Sequence, residues 1–267
     1  MVVRLVAVFG VMMAFSQVVV ADGKAEIMRG IVAEHGEAVV TVKMAIKETM
    51  SMAEYGSEVS EYTQEIHATV ISSEGLMVTS LMQLDPGSLM ESMFFDEAGD
   101  DEGFETKTEV TALKVLRDKE EIDAEIVLRD SDLDLAFLRP VKKPEAMWAH
   151  VDLTAAPTVA LFDPVYLLGR MGQVANRLPT VGEMRIQGIV EKPRAHYIVG
   201  EYPGMGMPIF TESGVCLGIN LTRMLKISGN SGMGYTSGYT SNMACVVLPG
   251  ADVVELLEQV PAYAEAK

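Results

Sequence analysis

The sequence has 267 residues, 49% of them apolar and 22% charged, with a formal net charge of −17. That composition excludes general disorder, and the length allows a sizeable core, as one long domain or two small ones. The acidic excess argues against nucleic acid as a partner. It would steer a cationic protein or peptide toward the surface, although its plainer role is to keep the chain in solution.

Residues 1–21 read as a signal peptide. Arg4 supplies the positive start, 5–20 is an almost unbroken apolar run, and Ala21 precedes an acidic mature start at Asp22. The run is short for a retained membrane anchor, and no other segment reaches spanning length. The expectation is an exported protein, periplasmic or extracellular, with no stable membrane insertion after cleavage. Residues 22–37 form an N-terminal segment, in which 25–35 has helical spacing through Ile27, Met28, Ile31 and Val32.

Strands follow. The run 38–46 reads as one, 47–65 as a polar surface loop, and 66–72 (IHATVIS) as a second strand that turns at Ser73-Glu74-Gly75 into a return strand at 76–79. A short turn or helical piece over 80–84 places Met82 just past a strand end, facing a cleft. The segment 85–104 is an insert with the acidic run DEAGDDEG, read as a flap or as solvated decoration. Asp96, Glu97, Asp100, Asp101 and Glu102 offer oxygen ligands there, but their spacing does not match an EF-hand loop. Further strands are placed at 109–116, 122–128 and 134–138, the last beginning at Asp134. Together they predict a small closed barrel over 38–139.

A Pro-containing linker over 140–157 carries Trp148, the single tryptophan, which is expected to pack the crossing against a barrel. A second strand-rich set covers 158–267, with strands at 159–168, 182–190, 195–199, 207–210, 215–220 and 243–248. A Ser/Gly loop lies at 228–238, and 251–260 has the spacing of a terminal helix.

One stretch concentrates the chemistry: 202–220, YPGMGMPIFTESGVCLGIN. It is a Pro-Gly-x-Gly bend, a strand, a tight turn and a strand. Such a bend gathers backbone N–H groups, and a nucleophile beside it would make a hydrolase site. Met205 and Met207 occupy it instead.

Several ordered motifs together resemble the trypsin-like peptidase domain of the HtrA/Deg type, from about residue 38 to 260. The stretch 75–82 (GLMVTSLM) is similar to that family's strand-turn-strand ending in Thr-Asn-x-His, with Met82 at the histidine. Asp134-Leu135-Ala136-Phe137-Leu138 resembles the strand that carries the catalytic aspartate. Pro203-Gly204-Met205-Gly206-Met207-Pro208, followed by Gly218-Ile219-Asn220, resembles the nucleophile motif, with Met205 at the serine and Pro203 at an oxyanion glycine; an alternative alignment that takes Pro203-Gly204 as the Pro-Gly pair before the motif and deletes one residue keeps the glycine and still supplies no serine. The resemblance implies an all-β fold of two six-stranded antiparallel barrels with a C-terminal helix. It also implies adjacent strands for Cys216 and Cys245, and hence a candidate disulfide.

A thioether is neither a proton donor nor a base at neutral pH. The family-equivalent positions Met82, Asp134 and Met205 therefore imply no catalytic residue. The function expected is a catalytically inactive peptidase homologue that binds protein or peptide, basic or unfolded. The alternatives are an active serine endopeptidase with a non-standard site and an exported metal-binding protein. Soft-metal capture by Met82, Met205 and Met207 lacks a His or Cys partner in the same motifs, so these methionines read as packing that fills the cleft. No cofactor is expected. His67 reads as a structural strand residue, and Asp134 is expected to bond a backbone N–H, a hydroxyl or water.

Overall fold

The computed structural model describes residues 23–52, 56–85, 104–117, 120–200, 204–224 and 243–263. The predicted signal peptide, most of the predicted acidic insert, Pro203 and the 228–238 loop lie outside the described residues. The chain opens with a helix over 23–35, whose Ile27, Met28, Ile31 and Val32 pack into the largest core cluster as their spacing requires.

Six strands then close into a barrel in the order β1-β2-β3-β6-β5-β4. They are β1 (Val39–Met52), β2 (Gly56–Val70), β3 (Met77–Ser80), β4 (Phe104–Arg117), β5 (Glu120–Asp130) and β6 (Leu135–Pro140). The predicted loop at 47–65 is a correction. It is the outer part of a long hairpin in which β1 and β2 stay paired from Val39↔Thr69 out to Met52↔Gly56. The sequence hides this because 56–63 is polar and exposed on both faces, so no alternation marks it as a strand. Continuous pairing of β1 with β4 on its other side supplies the order that local pattern lacks.

The second sheet corrects the expected second barrel. It has seven strands in the order β8-β7-β11-β12-β13-β10-β9 and is not closed. They are β7 (Pro164–Arg170), β8 (Pro179–Arg185), β9 (Gly188–Val190), β10 (His196–Ile198), β11 (Pro208–Thr211), β12 (Cys216–Met224) and β13 (Met243–Pro249). The predicted single strand at 182–190 breaks at Ile186-Gln187. Ile186 exchanges backbone bonds with Phe162 and Asp163, whereas Gln187 N donates to Ile198 O. The two halves, β8 and β9, thus end up at opposite edges of the sheet and do not pair with each other, which leaves it open.

The main core runs between the two sheets. Val78 and Phe137 from the barrel meet Tyr166, Leu168, Phe210 and Leu248 from the open sheet, together with Val253 of the terminal helix Gly250–Glu255. Full burial of each large side chain contributes about 1.5–3 kcal/mol. Trp148 is buried against the barrel's own core, as expected of the crossing segment, and its backbone N–H donates to Ser73 O.

The candidate disulfide is also corrected. β12 and β13 are neighbours, but Cys245 lies opposite Thr222, six residues along β12 from Cys216. That offset is roughly 20 Å of strand, against the roughly 4.4–6.8 Å between Cα atoms that a bridge needs. The two cysteines are not joined.

Candidate functional site

Asp134 sits between the turn 131–134 and β6, with φ +56°, a left-handed conformation that aspartate tolerates better than most side chains. The turn is fastened by Leu133 N donating to Asp130 Oδ1 at 2.9 Å. This geometry aims the Asp134 carboxylate at the end of β3 and the four-residue helix Leu81–Leu84. Oδ1 accepts from Met82 N at 2.8 Å, Oδ2 accepts from Ser80 Oγ at 2.5 Å, and the Asp134 carbonyl accepts from Leu81 N at 3.0 Å. The expected backbone N–H and hydroxyl partners are therefore both present.

Burial raises the Asp134 carboxyl to about 6. The hydrogen bonds from Ser80 and Met82, the Arg223 charge and the Leu81 N–H oppose that rise without cancelling it.

The bend reaches the same place from the other sheet. Met205 Sδ lies 3.8 Å from Ser80 Oγ, so Ser80 stands between Asp134 and Met205. The described residues of the bend are held from both sheets. Asn220 Nδ2 donates to Gly204 O at 2.9 Å and Gln83 Nε2 to Met205 O at 2.9 Å. Gly206 N donates to Asn220 O at 2.7 Å, and Thr69 Oγ1 donates to Gly206 O at 2.7 Å. Thr69 and Gln83 come from the barrel, and Asn220 comes from the open sheet. Gly206 has φ +76°, and a Cβ there would sit 2.7 Å from Thr79 Oγ1, so the bend needs glycine at this point.

The structure thus gathers Met82, Asp134 and Met205 around Ser80. Sequence reasoning missed Ser80 and Gln83. Ser80 was legible only as the residue two before Met82, and Gln83 as the one amide in an apolar LMQL run.

The remaining candidate side chains make no hydrogen bond to Asp134 or Ser80 among the described residues. The His67 backbone carbonyl accepts from Thr79 Oγ1 and Gln83 Nε2, but its ring Nε2 is buried and has no hydrogen-bond partner among the described residues. Met207 is buried with its sulfur over Gly169. Cys216 is buried, and burial pushes its thiol up to about 12, far from a nucleophile's range. Thr211 and Ser213 bond one another at 2.9 Å in the turn after β11. Among the described residues, no group of three or more His, Cys, Asp or Glu side chains could hold a metal ion.

Residues 67–219 match the family model for the trypsin-like peptidase domain. Among solved structures the chain is similar to the HtrA-type protease AlgW, in a serine-to-alanine variant solved with a decapeptide. The TM-score is 0.55 and the identity 16%, over 86% of this chain and 65% of that one. The chain thus spans about two-thirds of that protease's length, and at this identity the likeness concerns the fold. No curated protein sequence matches.

Proposed function

We propose that this chain, which belongs to the trypsin-like peptidase domain family, binds protein or peptide segments and does not hydrolyse them. One observation carries the reading. The carboxylate at the family's aspartate position is engaged by the Met82 backbone N–H and the Ser80 O–H, the Met205 sulfur lies against that hydroxyl, and the family-equivalent positions of base and nucleophile, 82 and 205, both hold methionine. Neither sulfur can take a proton from an attacking hydroxyl or deliver one to a leaving amine.

A second reading rests on Ser80 itself. Its hydroxyl touches a carboxyl held near 6, within the range of a general base at neutral pH. Ser80 is completely buried, however, so its oxygen meets no peptide carbonyl unless the site opens. That burial favours the binding role. The net charge of −17 suits a basic or unfolded segment as the partner, and the leader-like residues 1–21 suit an exported location.

The test is an assay of the purified protein without its leader, with unfolded protein substrates and a fluorophosphonate probe. No saturable cleavage and no labelled serine are expected. Turnover together with stoichiometric labelling would overturn the proposal, and loss of that labelling in Ser80→Ala would identify the relocated nucleophile.

A further inference from the structure

One polar joint of the seam between the two sheets is built on Arg170 at the end of β7. Its Nε donates to Val39 O at 2.6 Å, Nη2 to Gly36 O at 2.6 Å and Nη1 to Arg177 O at 2.9 Å. One guanidinium therefore ties together the segment after the N-terminal helix, the start of β1 and the loop between β7 and β8. Beside it, His67 on β2 lies directly across from Thr41 on β1. His67 Nε2 and Thr41 Oγ1 are both buried, and neither has a hydrogen-bond partner among the described residues. Two such atoms at one cross-strand pair mark a place where the interior tolerates a neutral imidazole and offers a new charge little compensation.

The surrounding charges point the same way. From β7 the group facing His67 is Arg170, a cation. From its own strand it is Glu65, already paired with Arg177 of the β7–β8 loop. On β1 the next residue on that face, Lys43, is another cation and is bonded to Glu121 of β5. Glu37 lies 3.5 Å from Arg170 but is largely exposed. The Thr79 and Gln83 side chains that reach His67 from the far side are neutral and meet its carbonyl. Burial and Arg170 hold the imidazole below its ordinary value, and Glu65 opposes them only in part.

We propose that acid opens this seam: a proton on His67 sets a second cation against Arg170 and loosens the joint between the sheets. The effect reaches the bend because the Gln83 amide that touches His67 O also holds Met205 O. The bend at Met205 is thus braced at neutral pH and released in acid, whether or not the site hydrolyses peptides. The sign follows from the buried neutral state. A histidine whose folded form resists protonation stabilises the closed seam above its unfolded pKa, and that stability is lost as pH falls.

The experiment uses the full mature chain. Histidine resonances are followed by NMR, and amide hydrogen-exchange protection is measured at Thr41 and Gly206 from about pH 8 to about pH 5. His67 is expected to titrate below about 6.5, and protection at both amides is expected to fall severalfold in step with it. In His67→Gln that acid response should vanish. In His150→Gln and in His35→Gln, where the ring lost is the one stacked on Phe210, the response at Gly206 should persist. His67 titrating at or above about 6.5 in the unaltered protein overturns the proposal without recourse to any variant. So does an unchanged acid response in His67→Gln.

Discussion

Replacing Asp134 by asparagine separates a structural carboxylate from a catalytic one. In the folded protein this carboxyl is raised from 3.8 to about 6, chiefly by burial. Each unit is worth about 1.4 kcal/mol, so the ionised form costs about 3 kcal/mol of stability near neutral pH. The sign is that of a raised acid. The folded state holds the proton more tightly than the unfolded chain, so the contribution is fully present below about 3.8. It is lost as pH rises through about 6.

Asparagine removes the charge and keeps the shape. Its Oδ1 can accept from Met82 N, and its Nδ2 can donate to Ser80 Oγ, whose own proton is then free to turn toward Met205 Sδ. Asparagine also tolerates the left-handed backbone at this position. Asp134→Asn is therefore expected to stabilise the protein by up to about 3 kcal/mol near pH 8 and by little near pH 4. Urea unfolding of both proteins across that range measures the difference as a function of pH. A variant less stable than the parent near pH 8, or a difference that does not vary with pH, would refute the argument that burial dominates this carboxyl.

Three further outcomes follow from the same geometry. Ser80→Ala removes a donor to a buried carboxylate and should cost about 2 kcal/mol near neutral pH; the loss, read by urea unfolding, should shrink in acid as Asp134 becomes protonated. Gly218→Ala places a Cβ 1.9 Å from Leu248 O, a backbone atom that cannot yield without parting β12 from β13. It should destabilise by more than about 3 kcal/mol or abolish folding, and a thermal melt like that of the parent would contradict the register. Cys216 should resist a thiol reagent in the native protein and react once urea unfolds it, and the intact mass should show no bridge between Cys216 and Cys245. Rapid native labelling of Cys216 would contradict its burial.

The fold was legible where short strands are buried apolar runs and illegible where a strand is polar and exposed on both faces. β3, β6 and β11 are short and almost wholly buried, and their apolar runs gave them away. The outer half of the β1–β2 hairpin carries polar side chains on both faces, so only pairing with β4 defines it. The break at Ile186-Gln187 left no mark, because the apolar content continues through it while the hydrogen-bond partners change. The two cysteines illustrate a different limit. Strand adjacency can be read from a resemblance, but register is set by the whole ladder, and here it slides Cys245 to Thr222.

At the site the resemblance pointed to Met82, Asp134 and Met205, and the structure gives the aspartate contacts that need no histidine. A four-residue helix satisfies few of its own backbone donors. Asp134 takes two of them: its carbonyl accepts from Leu81 N and its carboxylate from Met82 N. The same carboxylate holds Ser80, and Ser80 faces the bend that carries Met205. An aspartate at this point thus fastens the turn before β6 to the end of β3 and to the opposing sheet. Each of these contacts would be needed to shape the cleft whether it cuts peptides or only holds them. An aspartate retained in the Asp-Leu-Ala-x-Leu strand is therefore evidence for the fold and not for hydrolysis, and the identity of the groups at 82 and 205 has to decide the chemistry.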